Sequence, residues 1–592
     1  MNRLPLSKLL GIALALALRV STSAAEPRDP LTDAWPATDA LGRALPLHAE
    51  VGARRDDRFA GIFYFNWQAS FAGPPFNNPH LFDTAKLLAT NPNQPAWGPP
   101  GVPHYWGEPR FGYYRPDDPW VLRKHAQMLA DAGVDVLIFD VTNGATYDAE
   151  REALCTVFEQ IRTEGGRTPQ IAFLAFSDAA KAVVARLWET LYQPGKHRDL
   201  WFQWKGRPLL LSPPEALTEE MKAFFTVRQS WAWTKSWGGG GWFADGHDKW
   251  PWLDTAPQGF GWHEAPDKAE AVAVGVAQHA TSNIGRSFHA SRQPPPAEQQ
   301  PEQGLYFAEQ WAHALPLKPE FIFITGWNEW IAGRFLSDGK SPFLGRILPA
   351  GESFFVDNYS QEYSRDIEPM RGGHGDNYYW QLVAGIRRFK GARPVPAASA
   401  AKTIAIPGDF AQWAEVQPVY LDDLHDTAPR DHDGVEGAPR YVNHSGRNDL
   451  DTMHVAHDAT HLYFHATTRT ALTPATDPHW MVLFLDTDSD AQTGWLGYDF
   501  RINHTRTADT ASIERWDGSA WLSIATAKWE ARDRDLHLAV PRATVGLAAT
   551  PLHCDFKWAD NLPESPDALD LIDQGDTAPN ARFNYRYISP QP

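Results

Sequence analysis

The chain contains 592 residues, a length typical of about two to four domains. Its 72 acidic residues outnumber the 54 Lys and Arg residues, and the formal net charge is −18. An acidic chain of this kind disfavours a polyanionic partner, so we expect no nucleic-acid binding. The 26 Trp residues are unusually numerous, and many stand beside Gly, Asn, His or Asp.

The N-terminus has the order of a secretory signal. Arg3 and Lys8 precede an apolar run from Leu9 to Leu18, and small residues follow from Ser21 to Ala25. The run is shorter than the about 20 residues that a membrane-spanning helix needs. We therefore predict a cleaved signal over residues 1–25, a secreted or periplasmic protein and no membrane span.

Residues 26–393 alternate between short apolar runs and amphipathic segments. The runs predict strands at 61–66, 134–140, 171–176, 208–211 and 321–325. Helices are predicted at 120–132, 148–164, 178–192, 215–225, 265–280 and 303–315. Alternation of this kind predicts βα units, and the length suits a (β/α)8 barrel. The alternative doubly wound sheet lacks a glycine-rich phosphate loop after the first strand.

Residues 394–403 are rich in Pro and Ala and predict a linker. In residues 404–592, alternating apolar and polar stretches recur between turn residues. They predict strands at 461–466, 480–485, 498–503, 512–516 and 536–540. We interpret this region as an all-β sandwich, and we expect the two domains to be separable.

The strongest candidate for catalysis lies where a predicted strand ends. The segment Ile324–Trp330 reads Ile-Thr-Gly-Trp-Asn-Glu-Trp, which places Glu329 between Trp327 and Trp330. Barrel enzymes carry their active sites at the carboxyl ends of the strands. Partial desolvation raises the pKa of a carboxyl group and suits it to proton transfer. We therefore predict that Glu329 is catalytic.

This Trp-Asn-Glu-Trp strand end resembles glycoside hydrolase family 99 and its relatives, family 71 and the WbsX-like proteins. The opening Gly61–Trp67, the strand ending at Asp140 and the tripeptide Ile367–Pro369 fit the same plan. The resemblance implies a (β/α) barrel that hydrolyses glycosidic bonds, with family 99 acting on α-mannosidic bonds inside glycans. It carries over Glu329, but Ala332 stands where the family has its second carboxylate.

A glycosidase needs two carboxylates, about 5–5.5 Å apart for retention of configuration or about 6.5–9.5 Å for inversion. Asp140, at a predicted strand end, is our first candidate for the partner of Glu329. Glu264, in the aromatic segment Gly261–Glu264, is the second. The remaining candidates are Asp366, Glu362, Asp357 and Asp245.

Seven Trp residues between Trp231 and Trp262 are interleaved with glycines and predict a sugar-binding cleft. The predicted substrate-binding residues are Asn66, Trp67, Trp237, Trp262, His263, Trp327, Asn328 and Trp330. The histidines show no metal-ligand spacing, so no cofactor is expected for catalysis.

In the second domain, Asp486, Asp488 and Asp490 alternate after a predicted strand. Converging carboxylates of this kind suit a structural Ca²⁺, and an ordinary turn is the alternative. With the Asp409–Trp413 and Asn580–Asn584 segments, this stretch resembles family 9 carbohydrate-binding modules.

Together these features indicate a secreted glycoside hydrolase that acts on a polysaccharide or an oligosaccharide. A polysaccharide lyase and a non-catalytic glycan-binding protein are the alternatives. Convergence of several carboxylates at one barrel mouth would favour the hydrolase, and Glu329 alone would favour the binder. The sequence leaves the sugar, its linkage and the oligomeric state open.

Overall fold

The computed structural model describes residues 28–68, 84–90, 98–235 and 241–591. The predicted signal and Trp237 lie outside these ranges. Within them, no helix is both long enough and apolar enough to cross a membrane. The chain forms a mixed α/β domain followed by an antiparallel β domain.

The α/β domain is built on seven parallel strands. They are β1 (Phe59–Tyr64), β2 (Val136–Asp140), β3 (Gln170–Leu174), β4 (Arg207–Leu211), β5 (Thr226–Arg228), β6 (Ala271–Gly275) and β7 (Phe321–Thr325). Their order in the sheet is β6-β7-β1-β2-β3-β4-β5. Consecutive strands along the chain are mostly neighbours, as the predicted βα units require.

Residues 249–253 occupy an eighth position beside the end of β5. Parallel bridges join Gln229 to Lys249 and Ala232 to Leu253. On the other side of the gap, Phe260–Gly261 pairs antiparallel with β6. The parallel ladder that the structure describes is therefore continuous over seven strands and interrupted between residues 249–253 and β6.

Both faces of the sheet are buried. One face packs against the long helices α1 (Pro119–Asp131), α2 (Asp148–Thr163), α3 (Ala180–Leu187), α4 (Leu305–Ala314) and α5 (Asn377–Lys390). Shorter helices span His48–Val51, Thr84–Thr90 and Glu219–Phe224. The other face contributes Phe63, Ile138, Leu174, Trp250 and Phe323 to one inner cluster. Since this cluster draws on β1, β2, β3, β4, β6 and β7 and on residues 249–253, the sheet curves strongly around it.

The helix predicted at 265–280 is wrong, because Ala271–Gly275 is the buried strand β6. Alanine favours helices, which made the composition misleading. In the structure, Val272 and Val274 face the helix layer, whereas Ala271 faces the inner cluster. The alternation of valine with alanine or glycine thus reflects strand periodicity with small residues on the crowded side.

The second domain is an eleven-stranded antiparallel sheet. Its strands are β8 (Tyr420–Leu421), β9 (Leu450–His457), β10 (His461–Thr468), β11 (Val482–Asp486), β12 (Phe500–Arg506), β13 (Thr510–Trp516), β14 (Trp521–Arg532), β15 (Asp535–Pro541), β16 (His553–Asp560), β17 (Asp576–Ala578) and β18 (Tyr585–Ile588). Their order is β8-β9-β10-β15-β14-β13-β12-β11-β16-β17, with β18 also paired to β16. The two ends of the sheet meet, since the Tyr585 hydroxyl donates to the Leu421 carbonyl at 2.8 Å. A single curled sheet thus replaces the two separate sheets of the predicted sandwich.

Buried polar contacts join the two domains. Arg430, from the segment before β9, forms an ion pair with Asp118 at 2.8 Å, and both side chains are almost fully buried. Asp118 also caps α1 by accepting a hydrogen bond from the Trp120 amide. A second buried contact links Arg582 to Asp376 at 2.6 Å. An interface that buries paired charges behaves as part of the core, which weakens the expectation of separable domains.

The N-terminal segment (residues 28–47) lies against both domains. Arg28 forms an ion pair with Asp451 of β9 at 2.8 Å, and Trp35 packs edge-on against Tyr585 of β18. Arg393, the residue before the predicted linker, pairs with Asp33 of the same segment. The segment therefore fills part of the groove between the domains.

Candidate active site

Glu329 lies just beyond the carboxyl end of β7 and is 5% exposed. Its Oε2 is 2.5 Å from Nη2 of Arg365, and its backbone carbonyl accepts a hydrogen bond from Asn358. Burial raises the pKa of Glu329 to about 8, although the Arg365 guanidinium acts in the opposite direction. A carboxyl group in this range can exchange a proton near neutral pH.

The neighbours of Glu329 in the motif are buried and hold the loop in place. Asn328 accepts a hydrogen bond from the Phe65 amide at 2.9 Å and donates one back to the Phe65 carbonyl. Trp330 stacks on Trp106 at 5.1 Å, and Trp327 is fully buried in the helix-side core. These contacts fix the position of Glu329, and substrate binding by Trp327, Asn328 and Trp330 stays a prediction.

Asp140 ends β2 and faces the same mouth as Glu329. Its Oδ2 accepts a hydrogen bond from Nε1 of Trp67 at 3.0 Å, and its Oδ1 accepts one from the Thr142 amide. Burial raises the pKa of Asp140, and the charge of Asp140 in turn contributes to the raised pKa of Glu329. Asn66, the residue before Trp67, is buried.

Asp357 is joined to Glu329 through a shared partner, Arg365. Its side chain is 51% exposed, and its Oδ1 lies 3.4 Å from the same Nη2 of Arg365. With the 2.5 Å contact to Glu329, the two nearest carboxylate oxygens are at most about 6 Å apart. Asp357 is one of the remaining candidates from the sequence, and Arg365 is the residue that joins it to Glu329.

Part of the predicted tryptophan cluster does lie at this mouth. Trp231 and Trp233 follow β5, and Trp252 lies under the Arg365 guanidinium at 5.9 Å from its ring centre. Trp231 stacks face to face on Phe176, which follows β3, at 4.0 Å. All four rings are partly exposed and form a broken aromatic rim beside the carboxylates. By contrast, Trp250 is fully buried inside the sheet.

His279, beyond β6, adjoins the same charges. Its Nδ1 accepts a hydrogen bond from the Ser282 amide at 3.0 Å, which leaves the ring proton on Nε2 in the neutral form. Burial and the nearby Arg365 lower the pKa of His279 to about 4. This histidine is therefore neutral near neutral pH, and its spacing in the sequence matches no known motif.

Glu264, Trp262 and His263 lie at the opposite end of the strands, which corrects their predicted place in the cleft. Lys268 pairs with Glu264 at 2.5 Å and reaches Glu320, the residue immediately before β7. Glu329 lies beyond the other end of β7, and a five-residue strand spans about 16 Å. The pair with Lys268 lowers the pKa of Glu264, which is fully exposed. Glu264 therefore cannot act together with Glu329.

Of the remaining predicted carboxylates, Asp366 and Glu362 are buried in hydrogen-bond networks, whereas Asp245 is exposed. Asp366 is buried and accepts a hydrogen bond from Nε1 of Trp106 at 2.6 Å, while burial raises its pKa to about 7. Glu362 accepts hydrogen bonds from the Ser287 amide and hydroxyl. Asp245 lies in the loop with Trp262, far from Glu329. Ala332 sits in a short strand paired with His104.

Two of the three predicted Ca²⁺ ligands in the second domain lie in a carboxylate cluster, and the third does not. Carboxylate oxygens of Asp486, Asp488 and Asp499 lie within 4.8 Å of one another. Asp490 instead accepts a hydrogen bond from the Gln492 amide. Burial and the neighbouring carboxylates raise the pKa of Asp486 to about 7. Asp499 thus replaces Asp490 in the cluster.

Among known proteins, two solved structures are distantly similar to this chain. No protein-family model matches the chain, and no curated protein matches it. Two solved structures of the GH99 endo-alpha-mannosidase from Bacteroides thetaiotaomicron, one in complex with BIS-TRIS-Propane, are similar to it at 15% identity. They cover 56% and 57% of this chain and 97% and 99% of their own, with TM-scores of 0.31 and 0.30. Similarities at these TM-scores assign neither a fold nor an activity to this chain.

Proposed function

We propose that this protein is a glycoside hydrolase in which Glu329 and Asp357 form the catalytic pair. The observation that carries the proposal is their common contact with Nη2 of Arg365, at 2.5 Å and 3.4 Å. The nearest oxygens are then no more than about 6 Å apart, which is below the separation of about 6.5–9.5 Å used by inverting enzymes. A retaining mechanism fits this geometry.

The two carboxyl groups differ in environment, as a catalytic pair requires. Glu329 is buried, and its raised pKa suits a general acid that protonates the leaving oxygen and later deprotonates water. Asp357 is half exposed beside the cationic Arg365, which suits a nucleophile that attacks the anomeric carbon. Arg365 contacts both carboxylates and thereby fixes the distance between them.

Asp140 has a supporting role in this scheme. Because it is fixed by Trp67 and Thr142, its charge stays close to Glu329 and favours the protonated form of that residue. The aromatic rim of Trp231, Trp233, Trp252 and Phe176 offers apolar faces on which sugar rings can stack. We further propose that residues 249–253 complete an eight-stranded barrel around this mouth.

The experiment is digestion of a panel of polysaccharides and oligosaccharides by the full chain, with products identified by mass spectrometry. We expect saturated products with new reducing ends and, on a cleaved substrate, retention of configuration by NMR. Unsaturated products would replace the hydrolase with a lyase, and tight binding without cleavage would replace it with a binding protein.

Variants then test the assignment of roles. We expect Glu329→Gln and Asp357→Asn each to lower kcat/KM by at least a hundredfold. Glu264→Gln is the matched control, because Glu264 is an exposed glutamate at the other end of the same strands. Full activity in Asp357→Asn together with a large loss in Asp140→Asn would transfer the role of the second carboxylate to Asp140.

Two further proposals concern the chain outside the mouth. We propose that a structural Ca²⁺ is held by Asp486, Asp488 and Asp499, because a cation would offset the repulsion among their carboxylates. We also propose export of the protein, which rests on the signal-like order of residues 1–25.

A further inference from the structure

A second cavity, unrelated to the Glu329 mouth, opens on the curled sheet of the C-terminal domain. It encloses about 360 Å³. The strands β11, β12 and β13 and the loop after β16 form its walls. Trp495, Trp516 and Trp521 supply apolar walls, and His479, His504 and Glu564 supply polar ones. None of these six residues takes part in the proposed hydrolysis.

The three polar residues converge. One ring nitrogen from each histidine and one carboxylate oxygen of Glu564 lie within 4.8 Å of one another. Nε2 of His479 is 3.3 Å from Oε2 of Glu564. Ligand atoms bound tetrahedrally at about 2.0–2.1 Å from a zinc ion are about 3.3 Å apart, which is the separation of this pair. The Glu564 side chain is 76% exposed and therefore free to adjust around an ion.

His504 is oriented by a further carboxylate. Its Nδ1 lies 3.4 Å from Oε1 of Glu514, a side chain that is 7% exposed and also paired with Arg501. A proton held on Nδ1 by Glu514 leaves the Nε2 lone pair of His504 available for a metal. Histidine ligands in proteins commonly have such a partner on the other ring nitrogen, because it fixes both the tautomer and the ring orientation.

We infer that His479, His504 and Glu564 form a binding site for a divalent transition-metal ion of the zinc class. Two imidazoles and one carboxylate are ligands that Zn²⁺ accepts, and they leave at least one coordination position open. The open position faces the cavity, where a water molecule or a small ligand can complete the coordination. Hard cations such as Ca²⁺ prefer sites made of oxygen ligands and are not expected here.

The test uses the full chain, stripped with a chelator and titrated with ZnCl2 by calorimetry in excess Ca²⁺, which occupies any all-oxygen site. We expect about one equivalent of Zn²⁺ at micromolar affinity or better. CoCl2 should give visible absorption bands of a four- or five-coordinate site. A specific site should be occupied at about 100 µM Zn²⁺. If no binding is seen at that concentration, the inference is wrong.

Variants locate the ion. His504→Gln and Glu564→Gln should each weaken Zn²⁺ binding at least tenfold. The Glu564 side chain is 76% exposed, so the second variant is expected to fold as the wild type does. His263→Gln is the control, because His247, Asp248 and His263 form the other mixed histidine and carboxylate group that the described residues contain. If His263→Gln removes binding and the other two variants retain it, the inference is wrong.

Discussion

Replacing Arg365 by Met removes the cation that both proposed catalytic carboxylates contact. The Arg365 side chain is only 3% exposed, and its Nη1 also donates to the Gln278 carbonyl at 3.1 Å. Loss of hydrogen bonds from a buried charged group costs about 1.5–3 kcal/mol for each bond. Because the Met side chain recovers part of this by burying apolar surface, we expect a net loss of about 2–3 kcal/mol at pH 6.5.

The loss should grow with pH. Burial raises the pKa of Glu329 from its usual 4.5 to about 8, so the native state binds one more proton than the unfolded state between these values. Stability from this group is therefore present below pH 4.5 and is lost as the pH rises toward 8. Arg365 lowers the pKa of Glu329, so its removal raises that pKa further. The pH range over which stability is lost then extends above pH 8. Each further pH unit costs about 1.4 kcal/mol, giving a deficit of about 3–5 kcal/mol at pH 9.

Equilibrium urea denaturation followed by Trp fluorescence at pH 6.5 and pH 9 measures the deficit. Arg346→Met is the matched control, because Arg346 is 61% exposed and lies 3.8 Å from its partner Glu352. A surface pair of this kind contributes little at either pH. If the Arg365→Met deficit is the same at both pH values, Glu329 does not titrate as its burial requires.

Three other predictions concern the domain interface and the second domain. Asp118→Ala should lower the free energy of unfolding by several kcal/mol, because it removes the cap of α1 and leaves Arg430 buried without its ion-pair partner. Asp118→Asn keeps the cap and loses only the ion pair, so urea denaturation of both variants separates the two effects. A chain ending at Gly391 should be insoluble or unfolded, because the first domain then exposes its interface, and a soluble truncation with a sharp thermal transition would contradict this. Chelation of Ca²⁺ should lower the melting temperature of the wild type and not that of Asp499→Asn, with Asp490→Asn behaving as wild type in calorimetry.

The sequence predicted the strands of the first domain well because their apolar runs are buried on both faces. Residues 134–140 and 321–325 are examples, and the structure has strands at Val136–Asp140 and Phe321–Thr325. The strand Thr226–Arg228 was missed, because three residues are too few for periodicity to register. The curling of the second domain into a single sheet depends on long-range pairing that local patterns do not encode.

For the site, the sequence located Glu329 because a carboxylate directly after a buried strand has a definite place at the strand ends. It misplaced Glu264, since aromatic neighbours say nothing about which end of the strands a loop reaches. The antiparallel pairing of Phe260–Gly261 carries that loop back to the amino ends. Asp357 and Arg365 lie close to Glu329 only because the chain folds back after a long intervening segment. No spacing rule predicts that proximity.

The N-terminal segment has a consequence for the order in which the molecule is assembled. Arg28 contacts Asp451, which is 423 positions away, and Trp35 packs against Tyr585 in the final strand. Loop closure over such separations is slow, because chain entropy must be lost before the contact returns any energy. During synthesis, the N-terminal segment can form these contacts with the second domain only after almost the whole chain has emerged. Arg28 and Trp35 are therefore among the last residues to reach their native positions.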